Sequence, residues 1–581
     1  MASIVIPSGL LLGTLLLIPS LFGDFTAYQI GLFLIYGIVA QGIGFLWGKT
    51  GILPLGQTIF FGSTAYASAH ILINIETLGW QLVLMLLSVL IAGAIAYVLA
   101  TMVFRGKTDS GPYFSLITLA LVLIAEQLAS TSPNITGGFN GLSGYEPIAQ
   151  LDPFGNLYYL IVGVTVVSTM LLLALNRLPA GLIARAVSDN EPRLQLLGFA
   201  THKIKGLVFA MSAMLAATAG VLFASHQGIV TPTSAGFALS AQFIIWTAVG
   251  GRFHVLGPLL GSVVLAWLTA ELRDDFIYWE ISIAAIFILV VLKSPGGLAE
   301  IISIYFKKLV KAQVSEEPSY CAAPNVKSQQ PAATLQFDQC HLQVGVVQIL
   351  KGVTFTTPAQ GVVCIIGPNG AGKTSLLNVI TGNLLASKGT ILLAEKHIHC
   401  RPPYAALSSG IGRKLQVPSV FFSMTVGENL TVATLAQRAK WYHYFSAKPL
   451  LWRSAYISSL LAHEALPLTH NLAKQVSELP QGHRQFLEFA MTAAAQPRLL
   501  LLDEPCAGLS TAETHLMTDL IRQYQTQTKG LVLLIEHDMS IVEALSDKVL
   551  VLHQGQVLAF ASYVEVKANK DVAAVYAGGT K

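Results

Sequence analysis

The chain has 581 residues, enough for two or more domains, and only 11% of them are charged while 53% are hydrophobic. A mean hydropathy of +0.61 excludes an ordinary soluble protein, and a net charge of +4 is too small to suggest a nucleic-acid partner.

The hydrophobic bias lies almost wholly before residue 305, where runs such as QLVLMLLSVLIAGAIAYVLATMVF recur. Each is long enough to cross a hydrocarbon core of about 30 Å at about 1.5 Å per residue. Segments near 5–22, 28–47, 58–74, 80–104, 113–130, 157–175, 206–224, 238–250, 256–270 and 276–292 predict about ten spans. The short eighth can also be read as re-entrant. Met1 to Phe22 reads as a retained span; the alternative, a cleaved signal peptide, lacks a basic start and a small-residue cleavage site. With the N-terminus inside, the inner loops collect Lys49, Arg105, Lys107, Arg177, Arg185, Arg193, Lys203, Lys205, Arg252 and Lys293, and the outer loops only Arg273. That asymmetry predicts a cytosolic location for everything after residue 300, as does the basic run FKKLVK.

Within this half, Glu126 and Glu280 lie near the outer ends of spans, either along a solute pathway or at headgroup level. The glycine-rich stretches GILPLGQ and TGGFNGLSG permit broken helices along a pathway, or equally tight helix packing. The longest charged loop, GLIARAVSDNEPRLQLLGFATHKIK from Gly181 to Lys205, carries Arg185, Asp189, Asn190, Glu191 and Arg193.

Residues 306–334 turn polar and aperiodic, as a linker does. From 335 to 581 the strand-like runs GVVCIIG, LLLLDEP, LVLLIEH and KVLVLHQGQVL alternate with helical patterns, predicting an α/β domain with a largely parallel sheet. A helical stretch from Thr431 to Ala473 is expected to interrupt the alternation as an inserted subdomain. All five cysteines (Cys321, Cys340, Cys364, Cys400, Cys506) follow the membrane half without CxxC spacing, which fits a reduced cytosolic domain without a thiolate metal site.

The chemistry concentrates in three places. GPNGAGKT (Gly367, Pro368, Asn369, Gly370, Ala371, Gly372, Lys373, Thr374), followed by Ser375, joins the strand VVCII to an apolar helix. Glycines let the backbone wrap phosphates, the helix N-terminus supplies positive potential, Lys373 reaches the β/γ phosphates and Thr374 can ligate Mg²⁺. LLLLDEP sets Asp503 and Glu504 at a second strand end, where one carboxylate can hold Mg²⁺ and its neighbour can polarise an attacking water. LLIEHD then offers His537 after a third strand, placed to contact the γ-phosphate.

In that order, with Gln416 in GRKLQVPSVF and the segment LPQGHRQ between them, these motifs resemble the nucleotide-binding domain of an ABC transporter over roughly residues 335 to 581. GIGRKLQVPSVF, TVGENL and DVAAVYAGG are more narrowly similar to ATPases of the branched-chain amino acid and urea importers. LWGKTGILPLGQTIFFG, PYFSLITLAL, NITGGFNGLSG and IWTAVGGRFHVLGPLLG resemble their permeases, the urea branch above all. The resemblance implies an α-helical polytopic membrane domain (residues 1–305) fused to an α/β P-loop ABC ATPase domain (335–581), binding ATP and Mg²⁺. It gives Gln416 a Mg²⁺-sensing and coupling role, Glu504 water activation and His537 the γ-phosphate switch. It also implies that the Gly181 to Lys205 loop docks on the ATPase; a basic membrane-anchoring loop is the alternative. The implied machine is a bacterial inner-membrane importer with a second permease, a second ATPase or a second copy of this chain, and a periplasmic binding protein. Its expected substrate is urea or a short amide, with branched-chain amino acids as the alternative. A catalytically impaired scaffold subunit is the reading of another class, against which the intact Lys373, Asp503, Glu504 and His537 argue.

Two departures stand out. The family signature Leu-Ser-Gly-Gly-Gln is here Leu479, Pro480, Gln481, Gly482 and His483. Proline brings neither the serine hydroxyl nor a backbone N–H to the nucleotide of the facing ATPase. The aromatic expected to stack on adenine falls at Val344, unless Phe337 serves in another register. Because the signature serves the partner's nucleotide, these losses predict an asymmetric pair with one fast and one slow site.

Overall fold

A computed structural model describes residues 9, 12–105, 111–275, 277–294, 296–302, 320–322, 333–436, 441–445, 451–453, 455–463 and 465–577. The chain divides into two compact units, one of residues 1–188 and 202–316, the other of residues 189–201 and 317–581. Most of the expected linker, 306–334, lies outside the described residues, as does the start of the expected first span.

The first unit is helical. Asp24–Thr50 is its central helix, and Leu78–Phe104, Gly111–Thr131, Asn156–Arg177 and Thr201–Gln227 complete the set of helices long and apolar enough to cross a membrane among the described residues. Of the other expected spans, Gln57–Asn74 and Gly257–Asp275 are helices of 18 and 19 residues, Phe237–Gly250 and Trp279–Lys293 are shorter, and the first lies partly outside the described residues. Phe237–Gly250 has 14 residues and so reaches only about 21 Å, less than a bilayer core. Gln57–Asn74 is a helix of 18 residues preceded by a non-helical stretch.

That stretch, within GILPLGQ, has its backbone satisfied by side chains of neighbouring helices. Ser115 Oγ donates to Leu53 O at 2.6 Å, Leu55 N–H to Thr118 Oγ1 at 3.2 Å, and Ser240 Oγ to Leu55 O at 2.6 Å. Irregular backbone at membrane depth requires this kind of internal partner. The second glycine cluster is a tight loop: Gly137 and Gly141 both have φ of +74°, and a Cβ on Gly141 would run into Val230 O. Leu142–Ser143 there pairs antiparallel with Ile229–Val230. Glu126 sits at the start of Phe237–Gly250, its Oε2 accepting Phe237 N–H at 3.3 Å. It caps a short helix, whose N-terminal dipole favours a carboxylate. The side chain of Glu280 lies outside the described residues.

The second unit holds two sheets. The strands run Gln556–Ala561, Lys548–His553, Gly361–Ile366, Leu531–Ile535, Leu499–Asp503 and Ile411–Lys414 across the larger one. All neighbours are parallel except the first pair, which forms a hairpin. Three central strands are buried along their whole length, hence their unbroken Leu, Val and Ile runs. The smaller, antiparallel sheet is ordered Val347–Thr356, Leu335–Val344, Lys388–Leu393, Lys396–His397. The expected long helical insert is corrected: its described part is the helix Val426–Leu435, a 3₁₀ turn Trp441–Phe445, a short strand Leu451–Arg453 and the helix Ala455–Leu461. Aromatic and β-branched residues and Pro449 and Pro467 dilute helix propensity across it.

Candidate functional site

Parallel strands end together, and three of these ends assemble the site. After Gly361–Ile366 the chain turns through Gly370 (φ +80°) and Gly372 (φ +98°), a conformation that costs any residue with a Cβ, before the helix Lys373–Thr381 begins. Asn369 and Gly370 are exposed, and Ser375 is half-buried on the helix that follows. Lys373 is buried along its stem, its Nζ donating to Gly367 O at 2.6 Å and Pro368 O at 3.1 Å. Burial pushes its pKa down, against the pull of Glu504 and Asp503.

Asp503 ends the neighbouring strand and is 1% exposed. Burial pushes its carboxyl up, while the Arg413 guanidinium, 3.9 Å away, pulls it down. The Thr374 hydroxyl approaches it as well, yet neither oxygen has a hydrogen bond of normal geometry among the described residues. Two buried carboxylate oxygens without a hydrogen bond of normal geometry, beside a threonine hydroxyl, are a hard-oxygen donor set that fits Mg²⁺.

Glu504 follows in a left-handed conformation (φ +45°) that turns its side chain out of the strand path. Its Oε1 meets His537 Nε2 at 3.0 Å, and the two side chains are 20% and 47% exposed, so water reaches the pair. Gln416 is exposed, in a bend two residues beyond Lys414, the last residue of its strand, which pairs with Leu502. The sequence reading passed over Glu536. Buried, it accepts Cys506 N–H at 3.2 Å and His537 N–H at 3.3 Å, joining the segments after the two carboxylates and before the histidine. The only available signal was its place in LLIEHD.

The signature segment packs elsewhere. Leu479 is buried, Pro480 (φ −56°) precedes the helix Gln481–Ala493 and gives it no side-chain cap, and Gln481 is exposed. A Cβ on Gly482 would come within 2.8 Å of Glu513 Oε1, on the helix Thr511–Thr528. Glu513 also completes a capping box with Ser510, whose N–H and hydroxyl hold its carboxyl below the usual range. His483 Nδ1 is buried without a hydrogen-bond partner among the described residues. Phe337 is corrected as a base-stacking residue: it stacks on Phe355 with ring centroids 4.8 Å apart in the core. Val344 is exposed at the end of its strand.

Residues 189–201 carry most of the charged-loop candidates and group with the second unit. Asn190 breaks the helix Pro179–Leu196 (φ −156°, ψ 84°). Its Oδ1 accepts Arg193 N–H at 3.0 Å, so Asn190 caps a new helical turn with Pro192 in its first positions. Asn190 Nδ2 donates to Ser419 Oγ at 3.0 Å and Val420 O at 3.3 Å, and Asp189 Oδ2 accepts Ser423 N–H at 2.8 Å. Arg193 is fully buried: its guanidinium donates to Arg413 O at 2.9 Å, Glu488 O at 3.2 Å and Thr492 Oγ1 at 2.9 Å, and lies 3.4 Å from Glu488 Oε1. Arg185 and Glu191 are half-buried.

Two families match the chain: "Branched-chain amino acid transport system / permease component" over residues 25–293 and "ABC transporter" over residues 350–507. The high-affinity branched-chain amino acid transport ATP-binding protein LivG of Escherichia coli (strain K12) is 34% identical over 241 residues, 41% of this chain and 94% of that protein. BraF of Pseudomonas aeruginosa, with the same description, is 33% identical over 41% of this chain and 94% of its own length. A solved nucleotide-free ATP-binding cassette from an ABC transporter is 27% identical, covering 42% of this chain and 98% of that one, with a TM-score of 0.36. The chain thus belongs to the ABC transporter family, as an ATP-hydrolysing cassette joined in one polypeptide to a helical permease domain.

Proposed function

We propose that this chain is a fused permease and ATPase subunit of a bacterial inner-membrane importer for branched-chain amino acids. The observation that carries the substrate is agreement between halves: the permease match and the ATPase relatives are both described by branched-chain amino acid transport. The urea-type motifs of the sequence have no counterpart among those descriptions, so urea moves from first reading to competitor. A second permease, a second ATPase and a periplasmic binding protein complete the assembly.

In the ATPase, the loop Gly367 to Thr374 would cradle the triphosphate, with Lys373 exchanging its loop carbonyls for phosphate oxygens and Ser375 supporting the helix start. Thr374, Asp503 and Gln416 would hold Mg²⁺, which when bound offsets charge on the β and γ phosphates. Glu504 takes the attacking water's proton, and His537, 3.0 Å from it, orients that carboxylate and meets the γ-phosphate. Leu479 to His483 would face the partner's nucleotide, where Gly482 offers backbone and Pro480 no hydroxyl. Asp189, Asn190 and Arg193, with Arg185 and Glu191 beside them, form the docking loop that carries ATP-driven closure to the spans.

Uptake of labelled leucine, urea and acetamide by vesicles carrying the complete assembly tests the substrate. Leucine accumulation that needs ATP and is unaffected by excess urea supports the reading; accumulation of urea without leucine overturns it.

A further inference from the structure

The charged cluster beneath the loop 189–201 is unbalanced. Arg193, Arg413 and Lys414 are cations, Glu488 and Asp503 are the carboxylates, and none is more than 3% exposed. Arg413 is engaged elsewhere, donating to Asn378 Oδ1 at 2.7 Å and Thr381 Oγ1 at 3.0 Å and facing Asp503. Glu488 is therefore shared by two cations. Its Oε1 takes Arg193 and the Leu415 N–H, at 3.4 and 2.9 Å. Its Oε2 has no hydrogen bond of normal geometry among the described residues: the Ser419 N–H is directed at the carboxylate, Lys414 lies 3.9 Å from Oε2, too far for a hydrogen bond, and Lys414 donates instead to Leu415 O at 3.1 Å. Lys414 thus waits one short movement away from a carboxylate already served by Arg193.

We propose that Lys414 is a stand-in for Arg193: when the loop leaves its seat, Lys414 closes on Glu488, so that undocking never strands a buried carboxylate and the Leu415 N–H keeps its acceptor. This rests on the reading of Gly181 to Lys205 as a docking loop. A buried charge that loses its sole partner is strongly disfavoured. A cluster with one partner to spare lets a docking contact be both tight and reversible, as a transport cycle needs. Glu488 lies on the helix that begins with the signature and holds the residue before Gln416, so the exchange keeps those two segments in register while the loop moves.

Hydrogen exchange at the Leu415 amide, read by mass spectrometry with residue-level fragmentation on the full chain in nanodiscs, tests this. Met at either cationic position keeps the buried stem. Arg193→Met and Lys414→Met are each expected to leave the exchange rate within about threefold of wild type, and the double variant to raise it at least about tenfold. Adding Glu488→Gln to the double variant keeps an acceptor without a charge and should return the rate to within about threefold of wild type. If Lys414→Met alone equals the double variant, Arg193 is not seated there and the docking reading fails. If Arg193→Met alone equals it, docking stands and the stand-in is overturned. A double variant that exchanges like wild type, or a loss that Glu488→Gln does not restore, overturns it as well.

Discussion

Replacing Glu504 by Gln alters one atom of a side chain whose surroundings are otherwise kept. The amide has the volume of the carboxylate, its oxygen still meets His537 Nε2 across 3.0 Å, and the left-handed backbone at Glu504 is undisturbed. Only the ability to accept a proton is lost. A positioned general base supplies about 10²–10⁴-fold, so hydrolysis should fall by that factor, about 2.7–5.4 kcal/mol of barrier. ATP affinity should hold within about threefold, because the lost interaction belongs to the transition state. Phosphate release by the full chain assembled with its partner subunits, beside equilibrium ATP binding, measures both. In an asymmetric pair, the site of Lys373 and Glu504 is completed by the partner's signature and carries the fast turnover. Undiminished phosphate release would therefore refute the asymmetric reading and place hydrolysis in the other site.

Pro480→Ser returns a hydroxyl and an N–H to the signature; a charge-assisted hydrogen bond of about 1.5–3 kcal/mol predicts a rise of about ten- to a hundredfold in the slow site's phosphate release. Ser510→Ala removes the capping box that also holds Glu513; it should cost about 1 kcal/mol, seen as a lower melting temperature of the ATPase transition. Lys373→Met should abolish ATP binding yet raise the melting temperature measured without nucleotide. Burial holds the lysine pKa below its unfolded value, so its destabilising charge is fully present below the folded pKa and fades as pH rises from the folded to the unfolded pKa; the gain should shrink across that interval. Gly220→Ala directs a methyl into Phe61 O and should destabilise the permease by about 1–3 kcal/mol, read as loss of folded chain from membranes.

The phosphate loop and the strand ends were legible because their chemistry is local. Glycines at fixed offsets after a buried strand, and acids at the end of another, need no distant partner to be recognised. What stayed hidden depends on tertiary company. Glu488 reads as an ordinary polar residue of the amphipathic helix Gln481–Ala493, and only the fold brings Arg193 and Lys414 to it. Glu126 reads as an acid either of a pathway or at headgroup level, and only the fold shows it meeting the start of Phe237–Gly250. The path between the helices Asp24–Thr50 and Gln57–Asn74 is hidden in the same way: GILPLGQ signals a break, but only the fold shows its backbone borrowing hydrogen bonds from Ser115, Thr118 and Ser240. The insert from Thr431 was overread because helical periodicity persists through residues whose propensities do not sustain a long helix.

Phe337 is committed to Phe355 in the core, and the exposed strand end offers Val344 in its place. If the base lies at that strand end, as the motif spacing expects, it meets a branched aliphatic side chain in place of a ring, and binding leans on the phosphate loop. Val344→Tyr should then tighten ATP binding by restoring a stacking face, as equilibrium nucleotide titration would show; unchanged affinity would place the base elsewhere.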